Sequence, residues 1–450
     1  MLNQPATLEA ILDAKEKRAL KQQALLRRFP LGVVLSLSIN IPGAIKLSCE
    51  SIVVHEHALR AIDALLSKNK IAMAYEESLS TRAGIESLIV CYADATSLKQ
   101  SLCVVENDHP LGRFMDIDVI TSDGILSREA FSFPRRRCFV CDDDAKLCAR
   151  SQKHTYEALQ QHIQKRVYTH AFEDVVAFWA ALAMQTEVEL TPKPGLVDRH
   201  NTGAHHDMDI STFYVSIATI KPFVASFVRV GKAHALMDAL RCFELLREVG
   251  VQCEDAMFTA TKGVNTHKGM IFCLAVVCGA LGRLQQRGIP LLASSLQQEI
   301  QALCAHLVVH DLASKTPQTA GERFYHETKS TGIRGIAQSG FAVVFEQSLP
   351  FFQQMSSLHP EDVALKKTLL LLMSQLDDST LWKRGGVKGL SYVQTHAQKL
   401  LEEPTSSLDD ALFALDDAMI EKNLSAGGSA DLLALTWFLA HMLEKERLFT

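Results

Sequence analysis

"ELTPKPGLVDRHNTGAHHDMD", residues 189–209, joins the apolar, helically spaced stretch 171–188 to another at 211–229. It holds two prolines, two glycines, Lys193, Arg199, three histidines and three aspartates. A connection between packed helices needs few such residues. Their density predicts the wall of a ligand site and marks a change in the texture of the chain.

Beyond this stretch almost every periodic segment has helical spacing: 211–229, 233–248, 268–286, 295–308, 361–376, 388–402 and 429–446. Before about residue 165, the amphipathic helical segments 8–28 and 55–68 are interspersed with β-rich runs at 31–41, 86–93 and 113–120. The pattern predicts two domains. Residues 1–168 should form an α+β domain, a nucleotidyltransferase-like mixed sheet with helices. Residues 169–450 should form an all-α helical bundle.

With 450 residues, 48% apolar and 22% charged, the chain has the composition of a globular protein. Its formal charge of −5 gives no reason to expect nucleic acid as the main partner. The first twenty residues interleave acids and bases where a signal peptide would be apolar, and the longest apolar run, 270–282, is too short to cross a bilayer. A cytoplasmic protein with no membrane partner is expected. The eleven cysteines then read as reduced thiols.

In the second half, glycine-rich, charged connections precede apolar helices. In "GVNTHKGMIF" (263–272), Asn265 or Thr266 can cap a helix whose first turn carries His267 and Lys268. In "NLSAGGSADLLALT" (423–436), Ser429 is the candidate cap and Asp431 lies in the first turn. Arg334 and Arg384 stand beside glycines in two further connections. Helix starts offer free N–H groups and a positive dipole end, so several together suggest a polyphosphate ligand. Each is also an ordinary cap. The run His205–His206–Asp207 lacks the further ligands that zinc would need.

In the first half, "RFMDIDVI" (113–120) places Asp116 and Asp118 two apart in a β-like run, on one face, where they could share Mg²⁺. Arg113 and the run Arg135–Arg136–Arg137 form a local cationic patch. Cys138, Cys141, Cys148 and His154 have the spacing C-x₂-C-x₆-C-x₅-H, which suits a structural zinc ion, although ordinary reduced cysteines would look the same.

The motifs "EVELTPKPGLVDRHNTGAHHDMD", "GVNTHKGMIF", "GIRG" and "NLSAGGSADLLALT" resemble the triphosphoribosyl-dephospho-CoA synthase family over roughly residues 170–450. That resemblance implies an all-α transferase joining ATP to 3′-dephospho-CoA with loss of adenine. Asp198, Asp207 and Asp209 become candidates for acid, base or charge stabilisation. Asp207 and Asp209 are also candidate Mg²⁺ ligands, and Asp209 is equally a plain N-cap. Lys193, Arg199, Lys268 and Arg384 would hold phosphates. After "GIRG" the family usually has an acidic residue where this chain has Ile336.

"SLSINIPGAIK" (36–46), "HPLGRFMDIDVI" (109–120) and "PRRRCFVCDDDAKLCARSQKH" (134–154) resemble apo-citrate lyase phosphoribosyl-dephospho-CoA transferase over about residues 8–165. By matching position, Asp116 and Asp118 would bind metal and Arg113, Arg135 and Arg136 would neutralise phosphate. Lys46 and Asn40 would line the same pocket. The implied protein partner is the citrate lyase acyl carrier subunit, loaded on a serine with release of diphosphate. The alternatives are the equivalent malonate decarboxylase system and a nucleotide-binding regulatory protein that has lost one activity.

Overall fold

Thr7 caps the first helix, α1 (Leu8–Arg28), by accepting a hydrogen bond from the Ala10 N–H, and Arg27 and Arg28 close it at the negative end of its dipole. A computed structural model describes residues 2–312 and 320–444 of the chain, which divides into two units, Met1–Val175 and Val176–Thr450.

After α1 the first unit runs β1 (Val33–Ile39), α2 (Cys49–Lys68), β2 (Met73–Thr81), β3 (Gly84–Cys91), α3 (Ala95–Asp108), β4 (Met115–Thr121), β5 (Gly124–Ile125), α4 (Ala145–Ser151) and α5 (Tyr156–His170). The strands form one sheet in the order β2-β3-β1-β4-β5. The expected mixed sheet is corrected, because all four pairings are antiparallel. Helices α2 and α3 link strands running in the same direction, but those strands are not neighbours. β3 inserts between β1 and β2, and β1 between β3 and β4. The first four strands and their two helices thus have the split βαβ order.

The two faces of this sheet differ. Leu35, Leu37, Ile117 and Val119 are completely buried on one face, where α2 joins the sheet through a hydrogen bond between His55 Nε2 and Ser87 Oγ of 2.7 Å. On the other face α1 covers only the end built from Val34, Leu88, Val90 and Ile120, using Leu25. The remainder of that face carries Ser36, Ser38, Asp116 and Asp118, because register pairs Ser38 with Asp116 and Ser36 with Asp118.

The second unit contains no strand among the described residues. Its helices are α6 (Phe172–Glu189), which begins in the first unit, α7 (Ile210–Ala233), α8 (Ala239–Ala260), α9 (Lys268–Gln286), α10 (Ala293–Leu303), α11 (Leu307–Leu312), α12 (Ala320–Thr328), α13 (Gly332–Gln338), α14 (Leu349–Leu358), α15 (Glu361–Gln375), α16 (Ser379–Leu400), α17 (Leu408–Glu421) and α18 (Gly427–Glu444). The last two residues of the expected segment 429–446 lie outside the described residues. Helices α7 and α9 are each long and apolar enough to cross a membrane by length and composition, so the short run 270–282 understates the helix that contains it. Most of α9 is buried within the protein. It packs backbone to backbone on α7: a Cβ on Gly231 would lie 2.1 Å from the Gly279 carbonyl oxygen, and one on Gly282 would lie 2.2 Å from that of Val228. The glycine-rich stretch 382–389 falls inside α16, which kinks at Gly386, whose φ is 60°.

Candidate functional site

In the first unit the polar half of the sheet face floors a cleft of about 460 Å³. Asp116, Asp118 and Asn40 line it from the sheet, and Arg113, Arg128, Arg135, Arg136 and Lys146 supply cationic walls. Arg136 ties the walls together. Its guanidinium donates to Met115 O at 3.0 Å and to Glu106 Oε1 at 2.5 Å, and lies 3.0 Å from Asp116 Oδ1. Burial, reinforced by the neighbouring Asp116 charge, raises the Asp118 carboxyl above its ordinary value, while Lys99, Arg136 and Arg18 pull it down. Two carboxylates side by side among these cations are suited to a divalent cation and an anionic substrate.

Lys99, Glu106 and Arg128 are cleft residues that the motif reading missed. Lys99 Nζ donates to Ile117 O at 2.8 Å, and Glu106 Oε1 accepts from Ile117 N at 2.9 Å, so α3 completes the edge of β4 that the short β5 leaves open. Their seven-residue spacing, which puts both on one helix face, was the available signal. Lys46 does not line this cleft. Its ammonium donates to the Ile41 carbonyl at 2.5 Å, and burial lowers its pKa.

Beside the cleft, Cys138, Cys141, Cys148 and His154 place their ligand atoms within 4.8 Å of one another. All eleven cysteines of the chain are free thiols.

In the second unit, the 189–209 connection is a folded structure. Asp198, itself buried, accepts from the backbone N–H groups of Lys193, His200 and Asn201. Asp416 of α17 accepts from Gly195 N and Asn201 Nδ2, both at 2.7 Å. Asp209 caps α7 in a capping box with Thr212 and also accepts from Ser211 Oγ, and the Ser211 bond, followed by those from Thr212, lowers its pKa. Arg199 pairs with Glu189. Burial and the Arg384 charge push His205 down to about 4, so it is neutral. Its Nδ1 accepts from Arg384 at 3.1 Å, and its Nε2–H faces Ser425 Oγ at 3.0 Å. Asp207 stands 3.8 Å from His205 with its side chain 63% exposed.

A second group lies inside the unit. Lys193 is 2% exposed, and its ammonium donates to Glu187 Oε1 at 2.5 Å and Glu187 O at 2.9 Å. Asp378 caps α16 and also accepts from Ser429 N and Oγ of α18. The Asp431 carboxylate sits at the start of α9, accepting from Met270 N, and burial holds it well above its ordinary pKa. His267 is buried, its Nδ1 is 2.8 Å from Ser216 Oγ, and burial pushes it down to about 3. Its Nε2 has no hydrogen-bond partner among the described residues. The starts of α9 and α18 are thus occupied by carboxyl groups of the protein itself. Asn265 caps Lys268 N, whose ammonium pairs with Glu254 at 2.6 Å. Arg334 pairs with Asp311 at 2.9 Å, and Ile336 lines a separate cleft that also carries Asp377. Motifs could not reveal Asp378 or Asp416, which act across long separations in sequence, whereas Glu187 stands at the head of the quoted motif, six residues from its partner Lys193.

Gly269 makes the Asp431 arrangement feasible, since a Cβ there would lie 2.0 Å from Asp431 Oδ2. Gly269→Ala is expected to destabilise this unit by about 1–3 kcal/mol through overpacking. Urea unfolding of the full chain, with a Gly250→Ala control at an open position, measures it.

Residues 6–170 match the sequence model of the apo-citrate lyase phosphoribosyl-dephospho-CoA transferase family, and residues 173–449 match that of the ATP:dephospho-CoA triphosphoribosyl transferase family. The chain is 36% identical to Protein CitXG of Haemophilus influenzae, with 96% of this chain and 95% of that protein covered. The chain belongs to this family of fused transferases. It is 34% identical to Protein CitXG of Leuconostoc mesenteroides subsp. cremoris, with 97% of each chain covered. Its C-terminal part is 46% identical over 263 residues to the 2-(5''-triphosphoribosyl)-3'-dephosphocoenzyme-A synthase of Pectobacterium atrosepticum, which covers 58% of this chain and 87% of that protein. The fused transferase is therefore an enzyme with a synthase domain and an apo-citrate lyase transferase domain, acting in formation of the citrate lyase prosthetic group.

Proposed function

We propose that residues 169–450, a helical bundle, make the prosthetic-group precursor and that residues 1–168, a nucleotidyltransferase-like domain, install it. In the first reaction the 2′-hydroxyl of 3′-dephospho-CoA attacks C1′ of the ATP ribose. The bond to adenine breaks, the hydroxyl proton is lost and adenine gains one. The exposed Asp207, beside neutral His205 and Arg384, is the candidate for proton or charge work, and Arg199, Arg384 and Lys268 are candidates for phosphate. Lys193, Asp198 and Asp209 hold the connection in shape.

In the second reaction a carrier serine attacks the precursor's phosphate next to the ribose, and diphosphate leaves. Asp116 and Asp118 would hold Mg²⁺, which when bound neutralises phosphate oxygens. Arg113, Arg135 and Arg136 would orient the phosphates, and Lys99 would offset the negative charge of Asp118. Cys138, Cys141, Cys148 and His154 fit a structural zinc ion. The partner is the citrate lyase acyl carrier subunit, and the reduced cysteines favour the cytoplasm.

The juxtaposition of Asp116 and Asp118 on one face of β4 with Arg136 against Asp116 carries the transfer reading. Incubation with ATP and 3′-dephospho-CoA should release adenine, and adding apo-carrier should then release diphosphate in equal amount to the carrier loaded. Adenine release without any carrier loading would overturn the role of the N-terminal domain.

A further inference from the structure

We propose that Cys138, Cys141, Cys148 and His154 bind one zinc ion, and that this ion holds the arginine wall of the neighbouring cleft in place. The second half of the proposal rests on the transfer reading above; the first does not.

Cys148 Sγ lies 3.4 Å from Cys138 Sγ and 4.0 Å from Cys141 Sγ, and His154 Nε2 lies 3.2 Å from Cys141 Sγ. A tetrahedral site with Zn–S bonds of about 2.3 Å has sulfur–sulfur edges of about 3.8 Å. The sulfurs are therefore too far apart for a disulfide and at the spacing of a shared ion. The surrounding segment also needs a staple. From residue 121 to residue 162 the only buried apolar side chain is that of Cys148, so this stretch has no hydrophobic core to define it. A metal that binds only the folded form supplies the missing stability.

The knuckle grips the cleft through the segment that leads into it, where Arg137 and Asp144 form an isolated antiparallel bridge. Cys138 N donates to Asp143 O, and Ala145 N donates to Arg136 O, closing the ligand loop next to Arg136. On one side of that turn, Arg113 Nε donates to Arg137 O at 2.6 Å, and its guanidinium covers the Phe139 ring at 4.6 Å. On the other, Arg136 reaches Met115 O, Glu106 and Asp116. Arg113 Nη1 is buried with no hydrogen-bond partner among the described residues. Both arginines thus owe their position to backbone that the four ligands would fix. Arg113 and Arg136 are positioning residues for phosphate in this scheme, and zinc acts through them.

The test uses the full chain as isolated. Elemental analysis should find one zinc per chain, and cobalt substitution should give the intense visible bands of a tetrahedral thiolate site. Cys148→Ser should lose the metal, whereas His154→Cys, which keeps four ligands, should retain it. With pre-made precursor and excess Mg²⁺, chelating the zinc should raise KM for precursor about 10- to 100-fold, as for one or two lost charge-assisted hydrogen bonds, with a smaller change in kcat. Zinc added back should restore KM, which separates this effect from irreversible unfolding, and adenine release should not change. Absence of zinc and of cobalt bands overturns the site. Bound zinc whose removal leaves KM unchanged overturns the link to the arginines. A zinc-loaded wild type that transfers no precursor supports the site but overturns the role given to its wall.

Discussion

Asp118→Asn is expected to abolish carrier loading while ATP- and dephospho-CoA-dependent adenine release continues at the wild-type rate. Asp118 lies at the centre of the polar sheet face, opposite Ser36, and its amide replacement keeps the volume while removing the charge. If it holds the cation on the departing diphosphate, the loss is about 4 kcal/mol of transition-state stabilisation, or roughly 10³-fold in rate. The pH profile should carry the same signature. Burial and Asp116 raise the Asp118 pKa, so its carboxylate is lost on acidification sooner than an ordinary aspartate would be. Loading should therefore rise with pH through that raised value and level off above it, an acid limb that adenine release need not share. Quantifying loaded carrier by mass spectrometry alongside adenine by chromatography checks both. Loading at wild-type rate in the variant would remove Asp118 from the metal site.

Lys193→Met is expected to destabilise the C-terminal unit by about 3–5 kcal/mol, because it leaves the Glu187 carboxylate buried without its partner. That corresponds to a fall of about 10 °C in its unfolding temperature. Removing the second charge should repair much of the damage, so Lys193→Met/Glu187→Gln should recover at least half of the lost stability, and a double-mutant cycle gives the coupling. The same experiment decides between two roles. A lysine that grips ATP phosphates would leave the unfolding temperature unchanged on substitution and raise KM for ATP. The ammonium is enclosed and bonded to both the side chain and the carbonyl of Glu187, which favours the structural role.

Local pattern made much of the fold legible. The spacing in 8–28 became α1, the β-rich run 31–41 contains β1, and the runs 86–93 and 113–120 overlap most of β3 and β4. The period of two put Asp116 and Asp118 on one face because register is a local property of a strand. β2 was missed because "MAYEESLST" keeps few apolar residues and is largely exposed, so tertiary pairing with β3 rather than pattern makes it a strand. Strand direction across the sheet was equally unreadable, since it depends on which strand inserts between which. In the second half the glycine-rich connections were visible, but what fills them was not. Asp378 and Asp431 occupy helix starts that composition suggested would be open to phosphate. Asp416 secures Gly195 from 221 residues away. Such partners carry no mark in the sequence near the residues they serve.

The partial cover that α1 gives the sheet has a further consequence. Leu25 of this helix seals the apolar end of the face, while one and two turns earlier Gln22 donates to Ser36 Oγ and Arg18 to Glu86 beside the polar end. One helix therefore serves as both roof and kerb. Trimming or rotating α1 would expose an oily patch and undo the Gln22–Ser36 and Arg18–Glu86 bonds in the same stroke. Solubility and the order of the polar sheet face therefore depend on the same helix.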